Sequence, residues 1–146
     1  MIWNQQLQQK GLFLMLLTQL AGRSLVYVCR TSHLRKDLGQ PQVAHFLSQY
    51  GYAGTDVDQA LAHLRERLQE QSSFPHEIGV FLGYPLGDVM GFICNGGKNC
   101  KCEGPWKVYC NERQALHQFA RLQKCREVYT KLWQQGRSIW QLTVAA

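Results

Sequence analysis

The sequence predicts an α+β fold: a small, mainly antiparallel sheet covered by helices in a single domain. Three observations predict it. Residues 12–18 and 24–30 are two apolar runs joined by a short polar stretch containing Gly22, and together they read as a β-hairpin, which excludes a purely parallel sheet. Apolar residues recur at helical spacing in several later segments. The length, 146 residues, suits one domain. A chain of that size buries about two-thirds of its unfolded surface, so it needs no metal or disulfide staple.

The elements follow in order. The second hairpin strand, Ser24-Leu-Val-Tyr-Val-Cys-Arg30, is rich in β-formers. Ser32 is placed to cap a short helix carrying Leu34 and Leu38. Pro41 suits the first turn of the next helix, where Val43, Leu47 and Tyr50 follow at helical spacing and Gly51 ends the run. Thr55-Asp-Val-Asp58 resembles a capping box, and Val57, Ala60, Leu61, Leu64 and Leu68 then share one face, with His63 off it at the surface. Ser72-Ser73-Phe74-Pro75 breaks that helix. In residues 77–83, Ile78, Val80 and Leu82 alternate with Gly79, Phe81 and Gly83, which predicts a strand with one aliphatic and one glycine-opened face. A turn at Gly83-Tyr84-Pro85 leads to a short helix over 88–94, then a loop at 96–99 and a short strand over 106–110. Asn111 caps a long helix to about Gln135, Gly136 ends it, and residues 138–144 form a last turn. The expected sheet therefore holds the hairpin, 77–83 and 106–110.

The charge is uneven. Residues 1–96 hold seven Lys/Arg and seven Asp/Glu, whereas residues 97–146 hold nine Lys/Arg and three Asp/Glu. The whole +6 sits in the last third. This composition excludes an acidic solvating protein and a disordered one, since 45% of residues are hydrophobic and only 18% charged. Lys10, the apolar run 12–17 and the small residues up to Gly22 mimic a signal peptide. The run is far short of the roughly 20 residues that span a bilayer, and a strand is the simpler reading.

Several blocks carry a resemblance. Phe74-Pro-His-Glu-Ile-Gly-Val-Phe-Leu-Gly-Tyr-Pro85, Asp88-Val-Met-Gly-Phe-Ile93, Gly97-Lys98-Asn99 and Trp106-Lys-Val-Tyr109 resemble the signature of the bacterial domain of unknown function family 3793. The tail, with Lys124-Cys125, Tyr129, Gly136-Arg137-Ser138 and Gln141-Leu142, fits it too, so the resemblance covers about residues 4–146. It implies that the hairpin lies inside the domain, that the protein is cytoplasmic and that its cysteines are thiols. It also implies a link to iron or redox homeostasis, through neighbouring genes. Family members usually begin some tens of residues earlier, with a His/Cys-Pro-Thr-Leu-like stretch. By that comparison this chain is N-terminally short, which implies self-association or a partner that supplies the segment. Pro105 stands where many members carry a Cys or an aromatic residue, so the cysteine pattern is not fixed by the family.

Four constellations could carry chemistry. Cys94, Cys100, Cys102 and Cys110 place four thiols in seventeen residues. Thiolates suit transition metals, which makes Cys100 and Cys102 candidate ligands, although the spacing matches no zinc ribbon. Lys98, Lys101 and Lys107 would lower the thiol pKa values and favour thiolate chemistry. In the bland reading Cys94 and Cys110 are small buried residues and Cys100 and Cys102 sit on a loop. His76-Glu77 follows a proline: His76 is a candidate ligand or general base, against a structural role in which it bonds nearby backbone and Glu77 pairs with a base on the long helix. Gly83-Tyr84-Pro85-x2-Asp88 offers a strand-to-helix turn, but it is neither a Walker loop nor a dinucleotide fingerprint. On the long helix, Arg113, His117, Arg121, Lys124 and Lys131 fall within roughly 80° of arc at 100° per residue. Beside them run Phe119, Leu122, Cys125, Tyr129, Leu132 and Trp133, with Tyr129 and Trp133 read as core.

Three functions follow. The leading expectation is a ligand- or metal-responsive binding domain, with His76, Glu77, Tyr84, Lys98, Trp106 and Lys107 lining the site and Cys100 and Cys102 available to metal. The second is an enzyme that uses His76 and a thiol, with Cys102 as nucleophile. The third is a basic interaction module for protein or nucleic acid. Nucleic acid is the weaker of those partners, because no helix-turn-helix and no stacking aromatic pattern accompanies the stripe. No membrane partner is expected.

Overall fold

A computed structural model describes residues 2–70 and 74–145. The expected break at Ser72-Ser73 lies outside the described residues, as does Met1. The α+β class stands: helices dominate and every strand pairing is antiparallel. Among the described residues the strands form two separate two-stranded sheets, so the hairpin shares no sheet with the strand near residue 107. The chain divides into two compact units, one ending at Gly83 and one running from Tyr84 to Val144.

In the first unit, α1 (Ile2–Gln8) leads into β1 (Leu12–Leu20) and β2 (Arg23–Arg30). The two-residue turn has positive φ at both Ala21 (50°) and Gly22 (76°), the left-handed pair whose twist matches a hairpin. The register slips between Leu16 and Thr18, and Leu17 at the bulge is 2% exposed. Leu17 and Tyr27 face the core, while Leu25, Val26 and Val28 of β2 are exposed. Three helices follow: α2 (Thr31–Leu38), α3 (Pro41–Ser48) and α4 (Val57–Glu70). Pro41 is in the first turn of α3, as predicted. Ser32 is not the cap: the cap position of α2 is Arg30, two residues earlier, and it makes no side-chain cap hydrogen bond. The cap of α4 is shifted by one residue, from Thr55 to Asp56, whose Oδ2 accepts the Gln59 N–H at 3.0 Å. Val57, Ala60, Leu61 and Leu64 are buried, and Leu68 is half-buried.

The largest correction falls on residues 77–83. They form no strand; Ile78–Phe81 is a single helical turn, α5, which ends before Gly83 at φ 79°. All four of its residues are buried. A short segment buried on every side has no solvent face, so its apolar pattern cannot distinguish a period of two from 3.6.

In the second unit, α6 (Leu86–Asn95) starts behind Pro85 and ends in the left-handed Gly96. The strand expected over 106–110 shrinks to β4 (Lys107–Val108), paired with β3 (Cys102–Glu103). Then α7 (Glu112–Gln134) is capped by Asn111, whose side chain accepts the Gln114 N–H. Ser138 and Gln141 form a full capping box on α8 (Ile139–Leu142). Among the described residues, no helix is long and apolar enough to cross a membrane.

Candidate functional site

The predicted site residues fall in both units, so each group is built within its own. In the first, Glu77 is 1% exposed and precedes α5. Its Oε1 accepts from Arg67 Nε on α4 and from the Tyr52 hydroxyl at 3.3 Å. The partner base is thus Arg67 of α4 and not a residue of α7. Burial, followed by Glu77, pushes the Tyr52 phenol above its ordinary range. Hydrogen bonding to Glu77 raises the Arg67 guanidinium. That guanidinium also lies 5.3 Å over the Tyr50 ring. His63, expected at the surface, is half-buried: its Nε2 is 2.9 Å from the Tyr50 carbonyl and its ring meets Tyr52 edge-on at 4.5 Å. These contacts hold a buried carboxylate in place. His76 is exposed, with its ring 5.8 Å from Phe74.

Asp88 is the centre of the second unit. It sits in the first turn of α6 and is 3% exposed. Oδ1 accepts the consecutive N–H groups of Tyr109 and Cys110 at 2.9 and 3.0 Å, and Oδ2 accepts the Trp106 indole N–H at 2.9 Å. Trp106 stacks on Tyr84 at 4.9 Å and meets Phe119 edge-on at 4.6 Å. The Tyr84 hydroxyl donates to the Pro105 carbonyl at 3.4 Å. Tyr84 and Trp106, predicted to bind a ligand, are therefore packed into the unit's own core with Val108 and Ala115. The sequence alone places Asp88 only at the turn Gly83-Tyr84-Pro85-x2-Asp88. The missed signal is its setting: an acid inside an apolar helix, one residue after Gly87 and three before Gly91. A Cβ at Gly87 would stand 2.4 Å from Cys110 Sγ, and one at Gly91 2.4 Å from Tyr109 Cβ. Both glycines let the chain after β4 approach α6.

The lysines serve the backbone. Lys107 Nζ donates to the Gly97 carbonyl at 2.8 Å, and Lys101 Nζ to the Cys110 carbonyl at 2.9 Å. The Lys98 carbonyl accepts the Tyr109 hydroxyl at 2.9 Å. The expected lowering of thiol pKa is overturned at Cys102: burial, followed by the charge of Glu112, raises it. Cys94 and Cys110 are exposed, not the small buried residues of the bland reading. Among the described residues, no group of three or more His, Cys, Asp or Glu is placed to hold a metal, so Cys100 and Cys102 gain no third ligand of those types there.

The third departure is α7. Of its residues only Ala115 is buried. Phe119 joins the core and Leu132 is half-buried, but Leu122, Tyr129 and Trp133 are exposed, Trp133 by 56%. Tyr129 and Trp133 are thus not core residues. At 100° per residue the basic edge Arg113, His117, Arg121, Lys124 and Lys131, all exposed as well, lies about 80° or more round the helix from this stripe, whereas the exposed Arg126, four residues after Leu122 and three before Tyr129, stands beside it. On α8, Ile139 and Trp140 are also exposed.

No curated protein and no solved structure matches this chain. The family described as "Protein of unknown function (DUF3793)" matches residues 1–143, nearly the whole length, and the chain belongs to it.

Proposed function

We propose that the chain is a basic protein-interaction module and that α7 is its contact element. One observation carries the reading: Leu122, Tyr129 and Trp133 stand exposed along one stripe of a helix that buries only Ala115. Exposed aromatic and aliphatic side chains in a contiguous row mark a binding surface more often than idle surface. Tyr and Trp are also the residues that most often anchor protein interfaces. The exposed Arg126, four residues after Leu122 and three before Tyr129, selects the partner class, a protein surface that pairs an apolar strip with a carboxylate.

The other two readings gain less support. Tyr84 and Trp106 are occupied by each other, by Phe119 and by Asp88, and Lys107 by the Gly97 carbonyl. A raised thiol pKa leaves Cys102 protonated near neutral pH, which opposes its use as a nucleophile.

The test is a photo-crosslinking residue placed at Tyr129 or Trp133 in the producing cell, with Gln123 as the control. The expected result is one discrete protein adduct at positions 129 and 133, absent at 123 and lost in Arg126→Glu. Adducts to nucleic acid alone, or equal labelling at all three positions, would sink the reading.

A further inference from the structure

We infer that the free edge of β2 pairs with the same edge of a second copy, making a four-stranded sheet in the order β1-β2-β2′-β1′. This surface is separate from α7 and does not depend on the reading above.

The two edges of the hairpin are treated differently. On β1, the Leu14 N–H goes to Asn4 Oδ1 at 3.1 Å, and the Leu16 carbonyl accepts from Arg65 Nη2 at 2.6 Å. Side chains thus seal that edge. The same contact fixes the ladder's phase. Since the Leu14 N–H points away from β2, Leu14 and its partner Val28 are a non-hydrogen-bonded pair, and so are Leu16 and Val26 two residues along. The N–H and C=O groups of Val26 and Val28 therefore point outward from β2. Ser24 and Arg30 follow in the same phase, because the bulge lies on β1. Among the described residues, no group bonds the outward N–H or C=O of Val26 or Val28. The side chains there are open too: Leu25 is 38% exposed, Val26 43% and Val28 51%. An unsealed apolar edge is a template for another strand.

The sequence of the strand chooses the occupant. Ser24-Leu-Val-Tyr-Val-Cys-Arg30 is symmetric in chemistry about Tyr27. In a two-fold antiparallel pairing centred there, Val26 faces Val28′, Leu25 faces Cys29′, and Ser24 faces Arg30′. Apolar groups meet apolar groups, and no arginine meets an arginine, a contact that would be destabilising. The same register sets outward backbone groups of one strand against those of the other. The symmetry suits an isologous dimer, in which one patch serves both partners. Pairing would also replace two isolated ribbons, which are marginal in water, with one sheet of four strands.

The experiment is sedimentation velocity on the full chain through a dilution series. The wild-type chain is expected to form a concentration-dependent dimer. Val26→Lys/Val28→Lys puts like charges opposite each other and should give monomer; Val26→Glu/Val28→Glu should do the same. Mixing the two should restore a heterodimer, since Lys then faces Glu′. Val28→Pro removes only an outward donor and should also give monomer, with the circular dichroism of the folded chain unchanged. Trp133→Glu should leave the dimer intact. A monomeric wild type, charge variants that dimerise alone, charge variants that fail to pair when mixed, or a dimer lost in Trp133→Glu would each overturn the inference.

Discussion

The indole of Trp106 donates to the Asp88 carboxylate at 2.9 Å, joining the start of α6 to the residue that precedes β4. Both groups are buried. The other carboxylate oxygen holds two consecutive backbone N–H groups. Asp88→Ala would leave all three donors without this acceptor. Each buried donor left unmade costs about 1–3 kcal/mol. We expect Asp88→Ala to lose at least about 3 kcal/mol, measured by chemical denaturation. Trp106→Phe, which removes one donor and keeps most of the ring, should cost clearly less. Equal losses would show that the ring and not the hydrogen bonds matters most.

Gly91 makes a second prediction about the same region. A methyl group there would meet Tyr109 at Cβ and Cγ, 2.4 and 2.5 Å away, so the chain after β4 must move. Alanine normally favours a helix interior over glycine by about 1 kcal/mol. Here the overlap should reverse the sign, with Gly91→Ala destabilising by about 1–3 kcal/mol. A melting temperature equal to or above wild type would contradict the close approach.

These two residues show where sequence reading stops. The hairpin, the Pro41 turn, the Asn111 cap and the Gly136 stop were legible because each is local: a period, a cap or a positive φ. In the segment 77–83 the period is erased over 77–81, where every residue is buried. Asp88 was undervalued because its partners lie 18 to 22 residues away, and no local pattern announces them. Tyr129 and Trp133 were misassigned for the opposite reason. A helical apolar stripe looks the same whether it faces a core or a partner, so periodicity reads amphipathicity and not what covers it.

Arg67 and Glu77 test a different energy. Glu77 is 1% exposed, and the Arg67 side chain 19%. Removing the base leaves a buried carboxylate without its charge partner, so Arg67→Met should cost about 3–5 kcal/mol. Replacing both groups should cost less than the first change alone, because the pair's desolvation penalty disappears with it. We expect Arg67→Met/Glu77→Gln to recover part of the lost stability in a double-mutant cycle. Additive losses would mean that the two side chains act independently.

Alkaline pH gives the last prediction. The Tyr27 hydroxyl donates to the Phe81 carbonyl at 2.5 Å, and the Tyr52 hydroxyl donates to Glu77. Burial raises both phenols above their ordinary value, helped by Cys29 at Tyr27 and by Glu77 at Tyr52. An acid raised in the folded state keeps its proton there after the unfolded chain has lost it. Stability is therefore unaffected by these groups well below the unfolded pKa of about 10, and it falls as pH rises through and beyond that value. The phenolate absorbance should show Tyr27 and Tyr52 held back and then released together as the first unit unfolds. Tyr27→Phe or Tyr52→Phe should each make the alkaline decline in stability shallower. If all six tyrosines ionise together near pH 10 while the fold remains intact, the two phenols are not held as described.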